Sequence, residues 1–391
     1  MPALVSPAWR LTAIVLVGLN LRPVLASIGP LLDAIQRATG IADGTASLLT
    51  TVPILLMGAG ALSARWLQRR AGVRAGVWLG VALIALACAA RLAASAPAVL
   101  LATALGAGVG IAMVQALLPM FIKTHFSARA GSVMGFYSTS IMGGAVFASV
   151  ITPFAAAQTH WTTALAGWTL PALAAVAIWP LASRAAPGAT RTAAPSTRRP
   201  HGARPWLLAL FFGLGTGAYT LVLAWLPPYF VALGWSPEAA GGLLGGVTLA
   251  EVASGLVVSA FIDRLNDRRP ALFAAIAALL AGLLVLIASP SSLALPASLL
   301  IGLGIGALFP LSLIVALDHV DHPAEAGALT AFVQGIGYLI AGLFPFAAGL
   351  IRQHLADLTP AWAFMAAVCV VMFAMAARFA PVRVAATGSR A

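Results

Sequence analysis

The stretch LTAIVLVGLNLRPVLASIGPLL, residues 11–32, is long enough to cross a membrane and carries one charge, Arg22, near its middle. About 20 apolar residues span roughly 30 Å of hydrocarbon as a helix. An arginine at that depth costs about 2.5–3.5 kcal/mol on insertion scales, so such residues face the bundle interior or a water-filled cavity. A continuous helix through it would align Arg22 with Gly18, Ala26 and Gly29, surrounding a long cation with small residues. Pro23, which has no N–H, leaves the Leu19 carbonyl without its helical donor.

The rest of the chain repeats the pattern. Of 391 residues, 61% are hydrophobic and 8% charged, against about 25% charged in an average soluble domain. Twelve apolar runs are expected as helices, at 9–35, 43–65, 75–94, 97–121, 131–155, 163–183, 206–232, 238–262, 270–289, 292–317, 325–350 and 361–379. The first reads as an uncleaved span, not a secretory signal, because the apolar run continues past Arg22. The formal net charge of +12 does not point to nucleic acid. Eighteen of the 22 basic residues fall in alternate connecting segments, three (Arg37, Arg91, Arg352) in the opposite set, and Arg22 within a span. That bias predicts an inner-membrane protein of bacterial type with both termini cytoplasmic. Cys88 and Cys369 fall in apolar spans, too few for a disulfide framework or a zinc site.

The segment 184–205 has linker composition and separates an N-terminal six-helix half, 1–183, from a C-terminal one, 206–391. Gly106, Gly108 and Gly110 recur as Gly302, Gly304 and Gly306, 196 residues on; Arg69 recurs as Arg268 after 199, and Pro153 as Pro345 after 192. Two parallel six-helix halves with a site between them are the architecture of the major facilitator superfamily. The loop SAFIDRLNDRRP, 259–270, resembles that superfamily's charged cytoplasmic signature. Asp263, Arg264, Asp267, Arg268 and Arg269 read either as a cytoplasmic gate or as a solvated cluster. The corresponding segment ARWLQRRAGVR, 64–74, lacks the aspartate.

The strings LNLRPVLASIGPLL (19–32), GAGVGIAMVQALLPMFIK (106–123), AWLPPYF (224–230), LFPLSLIVALDH (308–319), AFVQGIGYLIAGLFP (331–345) and RFAPVR (378–383) together resemble the cyanate transporter family of this superfamily, which also holds nitroimidazole transporters. The resemblance implies a secondary transporter without a cofactor, moving a small anion such as cyanate or a small polar organic compound. It also implies that Gln115 and Gln334, in the fourth and eleventh spans, approach the central cavity; cavity contact and interhelical bonding both remain open. Arg22 reads as the anion's binding group or as a structural arginine. Glu251, the one acid near the middle of a span, reads as a proton carrier, as a counter-ion of Arg22 or as an unrelated contact. Tyr137, Tyr219 and Trp225 offer pocket walls or packing, and Asn20 an anchor to a neighbouring helix. DHVDH, 318–322, has the residue types of a metal site but no further ligands, so no metal is expected. HExxH, GxSxG and Walker strings are absent from the sequence, which leaves hydrolysis and nucleotide-driven pumping without a carrier. A sensor derived from a transporter is the alternative of a different class.

Overall fold

In the computed structural model, residues 6–94, 96–126, 129–184, 202–265, 267–319 and 323–379 are described. Among them the chain is helical without strands and contains twelve helices or helix pairs long and apolar enough to cross a membrane. The first span is broken into α1 (Pro7–Leu19), α2 (Pro23–Ala26) and α3 (Ile28–Thr39). Next come α4 (Asp43–Ala71), α5 (Val73–Ala90), α6 (Pro97–Phe126) and α7 (Ala130–Gln158), and then the sixth span, formed by α8 (Trp161–Ala166) and α9 (Thr169–Ala182). Spans seven to ten are α10 (Ala203–Ala232), α11 (Pro237–Phe261), α12 (Arg269–Ala288) and α13 (Ala294–Asp318). The pair α14 (Pro323–Ala341) and α15 (Leu343–Leu355) makes the eleventh, and α16 (Thr359–Ala377) the twelfth.

Local chemistry sets the ends. Ser6 and Ser236 accept hydrogen bonds from the backbone N–H of Trp9 and Ala239, each at 3.2 Å, capping α1 and α11. Gly40, at φ 71°, closes α3 in the left-handed region, where glycine pays no Cβ penalty. Because the spans alternate in direction, the two described ends lie on one face, called here the terminal face. The exposed tryptophans Trp9, Trp66, Trp78 and Trp206 all lie near that face, the level at which an aromatic belt meets the membrane boundary. Exposed Leu86, Leu170 and Val370 coat the outside of the bundle, whereas α10 is almost wholly enclosed.

Glycines decide how the spans approach one another. A Cβ on Gly108 would meet Pro53 of α4 at 2.7 Å, and one on Gly302 would meet the Val247 carbonyl of α11 at 2.4 Å. Likewise Gly110 lies against the Gly80 carbonyl of α5, and Gly304 against Ala275 and Leu279 of α12. Both pairs are 194 residues apart, so the internal register is two residues shorter than the offset of 196 read from the matching strings. The reason is geometric: residues two apart point about 200° apart on a helix, so a shift of two preserves the GxGxG string while exchanging its neighbours. In the corrected register Glu251 of α11 is the counterpart of Met57 of α4.

The first six spans meet the last six along α4 with α14 and α15, α7 with α11, and α3 with α10. On the side opposite the termini this seam is close: Gly29 lies against the Leu223 carbonyl, Gly241 against the Ser149 carbonyl, and Gly349 against Ser47 and the Asp43 carbonyl.

Candidate functional site

The break in the first span builds the site. Asn20 N–H donates to Val17 O at 3.2 Å and Leu21 N–H to Gly18 O at 3.1 Å, tightening the end of α1, and Pro23 restarts the helix at the first position of α2. The expected continuous stripe is therefore not formed: Gly18 packs on Tyr137 and Ser140 of α7, and Gly29 on α10. The Leu19 carbonyl that Pro23 leaves without a helical donor is covered by α7, where a Cβ on Gly144 would fall 2.1 Å from it. Asn20 anchors the break, donating to Leu16 O at 2.8 Å and to Pro171 O of α9 at 3.2 Å.

Arg22 itself is 5% exposed. Its guanidinium contacts the Met57 sulfur at 3.7 Å and stands over the Tyr219 ring, 5.3 Å from the centroid. It thus touches α4 of the first six spans and α10 of the last six. Tyr137, Tyr219, Tyr338 and Glu251 are within its electrostatic reach. The chain contains four tyrosines, and three of them lie within reach of this arginine's charge. Among the described residues no carboxylate lies at ion-pair distance from Arg22. Glu251 is 6% exposed, with Gly306 of α13 pressed against its backbone.

The glutamines occupy different places. Gln334 lies one turn from Tyr338 on α14, so the two share a face, and the adjacent Gly335 packs on Leu62 of α4. Gln115 follows Gly108 and Ala112 on the stripe of α6 that faces α4, and its buried Oε1 has no protein partner. Neither glutamine hydrogen-bonds Arg22. Trp225 lies six residues beyond Tyr219, about 9 Å along α10, and its indole N–H is committed to the Pro345 carbonyl at 2.8 Å.

Trp225 belongs instead to a network on the face opposite the termini. Arg352 of α15 stands over its ring at 5.6 Å and pairs with Asp33 of α3 at 3.2 Å and Asp43 of α4 at 3.4 Å. Asp43 also accepts from Gln36 at 2.9 Å, while the Gly44 N–H donates to Gln353 Oε1 at 3.0 Å. These contacts tie spans one and two to span eleven. By its place in the sequence Arg352 counts as a loop charge. So does Arg91, which is fully buried, donating to Val24 O at 3.2 Å and to Thr103 Oγ1 at 3.4 Å.

On the terminal face, Asp267 accepts from Arg269 at 2.7 Å and Arg268 pairs with Asp318 at 3.1 Å. The hydrogen bonds from Arg269 hold the Asp267 carboxyl below the usual carboxylate range. Arg268 also donates to the Ile262 and Leu265 carbonyls, and Arg264 stands over Phe261 at 4.9 Å. Each of these contacts stays within the last six spans, so they brace the loop between α11 and α12 against α13. The Asp263 side chain lies outside the described residues, as do residues 320–322 of DHVDH and most of the linker. His319 is engaged with the Val315 carbonyl at 2.7 Å, and no cluster of three metal-ligating side chains occurs among the described residues.

The sequence matches the Major Facilitator Superfamily over residues 12–345 and 234–390. It is 39% identical over 375 residues to the cyanate transport protein CynX of Escherichia coli K12, covering 95% of this chain and 97% of that one. It is 30% identical over 353 residues to the 2-nitroimidazole transporter of the same strain, covering 88% of each. The inward-open xylose transporter XylE from E. coli has the same fold, with a TM-score of 0.78 at 12% identity over 95% of each chain. The chain therefore belongs to the Major Facilitator Superfamily, in its cyanate transporter family, and is a multi-pass membrane transporter rather than an enzyme.

Proposed function

We propose that this protein is a secondary transporter of a small monovalent anion, with cyanate the first candidate, working by alternating access between the halves 1–183 and 206–391. The observation that carries this reading is Arg22: a buried cation at a break in the first span, touching both sets of six helices and without a carboxylate at ion-pair distance. A buried charge demands compensation, and an anionic substrate supplies it. Glu251, the counterpart of Met57 in the second half, is suited to couple a proton. As a carboxylate it competes with the anion for Arg22, and once protonated it stops doing so. The basic bias of the alternate loops supports cytoplasmic termini in a bacterial-type inner membrane. A second reading, transport of a nitroimidazole-like compound, draws support from the three tyrosines around Arg22 and from the 30% identical relative.

The test is uptake of labelled cyanate into proteoliposomes, with and without a proton gradient, by the unmodified protein and by Arg22→Gln. Uptake by the unmodified protein and its loss in a variant with an unchanged melting temperature are expected. Absence of cyanate uptake by the folded unmodified protein, or undiminished uptake by the variant, overturns the anion reading. Uptake of 2-nitroimidazole in its place selects the second.

A further inference from the structure

Buried hydroxyls in membrane helices ordinarily return to the backbone of their own turn, and most here do. Ser27 donates to Pro23 O at 2.6 Å, Ser140 to Tyr137 O at 2.7 Å and Thr248 to Leu244 O at 3.1 Å. Thr220 is doubly engaged, with Gly217 O at 3.0 Å and Ala341 O at 2.8 Å. The pattern fails singly at Thr51, Thr169 and Ser298, and three times on two helices that border Arg22. The Nε of Arg22 and the hydroxyls of Tyr137, Tyr219 and Thr216 are buried and have no protein partner. These groups come from spans one, five and seven. Tyr137 packs on Gly18, one turn before the break, and the Tyr219 ring lies beneath the guanidinium. Thr216 precedes Tyr219 by three residues and so shares its face of α10.

Buried polar atoms in native proteins are almost always paired, so unpaired atoms on Arg22 and on two helices that border it mark a place where a ligand completes the bonding. The chemistry of the set restricts that ligand. Arg22 Nε can only donate, and each hydroxyl can donate. Arg22 Nε requires a lone pair from the ligand, and each hydroxyl can add a further hydrogen bond to it. We infer that Tyr137, Tyr219 and Thr216 join Arg22 in a cradle that donates hydrogen bonds to a compact group bearing acceptors. The ends of a linear anion and the oxygens of a nitro group are two sources of that one chemistry. This inference rests on the transport reading and deepens it: Arg22 supplies the charge, and the hydroxyls supply directed hydrogen bonds.

The experiment is direct binding to the purified full chain by titration calorimetry. Cyanate, thiocyanate and 2-nitroimidazole are the acceptor-bearing probes. Tyr137→Phe, Tyr219→Phe and Thr216→Val each remove one donor at nearly constant volume, and melting temperatures control for folding. Each variant should weaken the acceptor-bearing probes about ten-fold, as expected for loss of one hydrogen bond to a charged or strongly polar group. Arg22→Gln separates the sources, weakening the anions more than the neutral nitro compound. If the unmodified protein binds a probe and the three variants bind it equally well, the cradle is wrong while the transport reading stands. If the folded unmodified protein binds none of the three acceptor-bearing probes, both fall.

Discussion

Arg352→Gln should loosen the closure opposite the termini. The side chain links α15 to Asp33 at 3.2 Å and Asp43 at 3.4 Å and covers the Trp225 ring. Arg352 is about one-sixth exposed and the two aspartates a fifth to a third, so the pairs are screened in part. Exposed pairs are worth about 0.2–1 kcal/mol each, and an arginine over an aromatic face about 0.5–1 kcal/mol. The substitution also leaves two carboxylates of like charge on one side of the seam. Together the change is about 1–3 kcal/mol, or roughly a 5- to 150-fold shift in the ratio of closed to open states at this face. The assay is pulsed electron–electron distance measurement between spin labels at Ala38→Cys and Leu355→Cys, both on this face and exposed. The native cysteines Cys88 and Cys369 are buried and leave labelling to the introduced sites. A longer distance population should appear or grow in Arg352→Gln. An unchanged distance distribution would refute the reasoning, because the network would then contribute nothing to the closed state.

Three further outcomes are expected. Gly306→Ala should destabilise the protein by about 1–3 kcal/mol, since its Cβ would fall 2.2 Å from the Glu251 carbonyl; Gly246→Ala, with no atom within 4 Å, serves as the control, and equal melting temperatures for the two would contradict the packing. Arg91→Lys should lower the melting temperature and weaken cyanate binding, because an ammonium cannot reproduce the planar fork that reaches Val24 and Thr103; unchanged binding would sever Arg91 from the placement of α2. Glu251→Gln should abolish acceleration of cyanate uptake by a proton gradient while leaving cyanate exchange intact, and retained acceleration would remove Glu251 from coupling.

Hydropathy and loop charge made the twelve spans legible, because burial in lipid is a property of each segment alone. Arg22 was legible for the same reason: a charge inside an apolar run announces its own cost. What hydropathy does not encode is which side chains meet across hundreds of residues. Tyr338 lies in an apolar run that packing alone would explain, so nothing in its local sequence tied it to Arg22. Arg91 and Arg352 sit at span ends, where a positional rule assigns charge to loops, yet the first is buried and the second joins distant helices. For Trp225 the sequence left a pocket wall and packing both open, and six residues of helix beyond Tyr219 carry it into the network on the other face. The break in the first span was half visible, since Pro23 signalled a missing hydrogen bond without revealing that residues 20–22 leave the helix altogether.

The burial of Arg91 has a consequence for how the chain is assembled. Its two partners are separated in synthesis, for Val24 has already emerged when Arg91 is made, whereas Thr103 follows twelve residues later on the next span. Arg91 thus has only the Val24 carbonyl to bond until the fourth span supplies Thr103. Spans one, three and four are therefore expected to settle around it together.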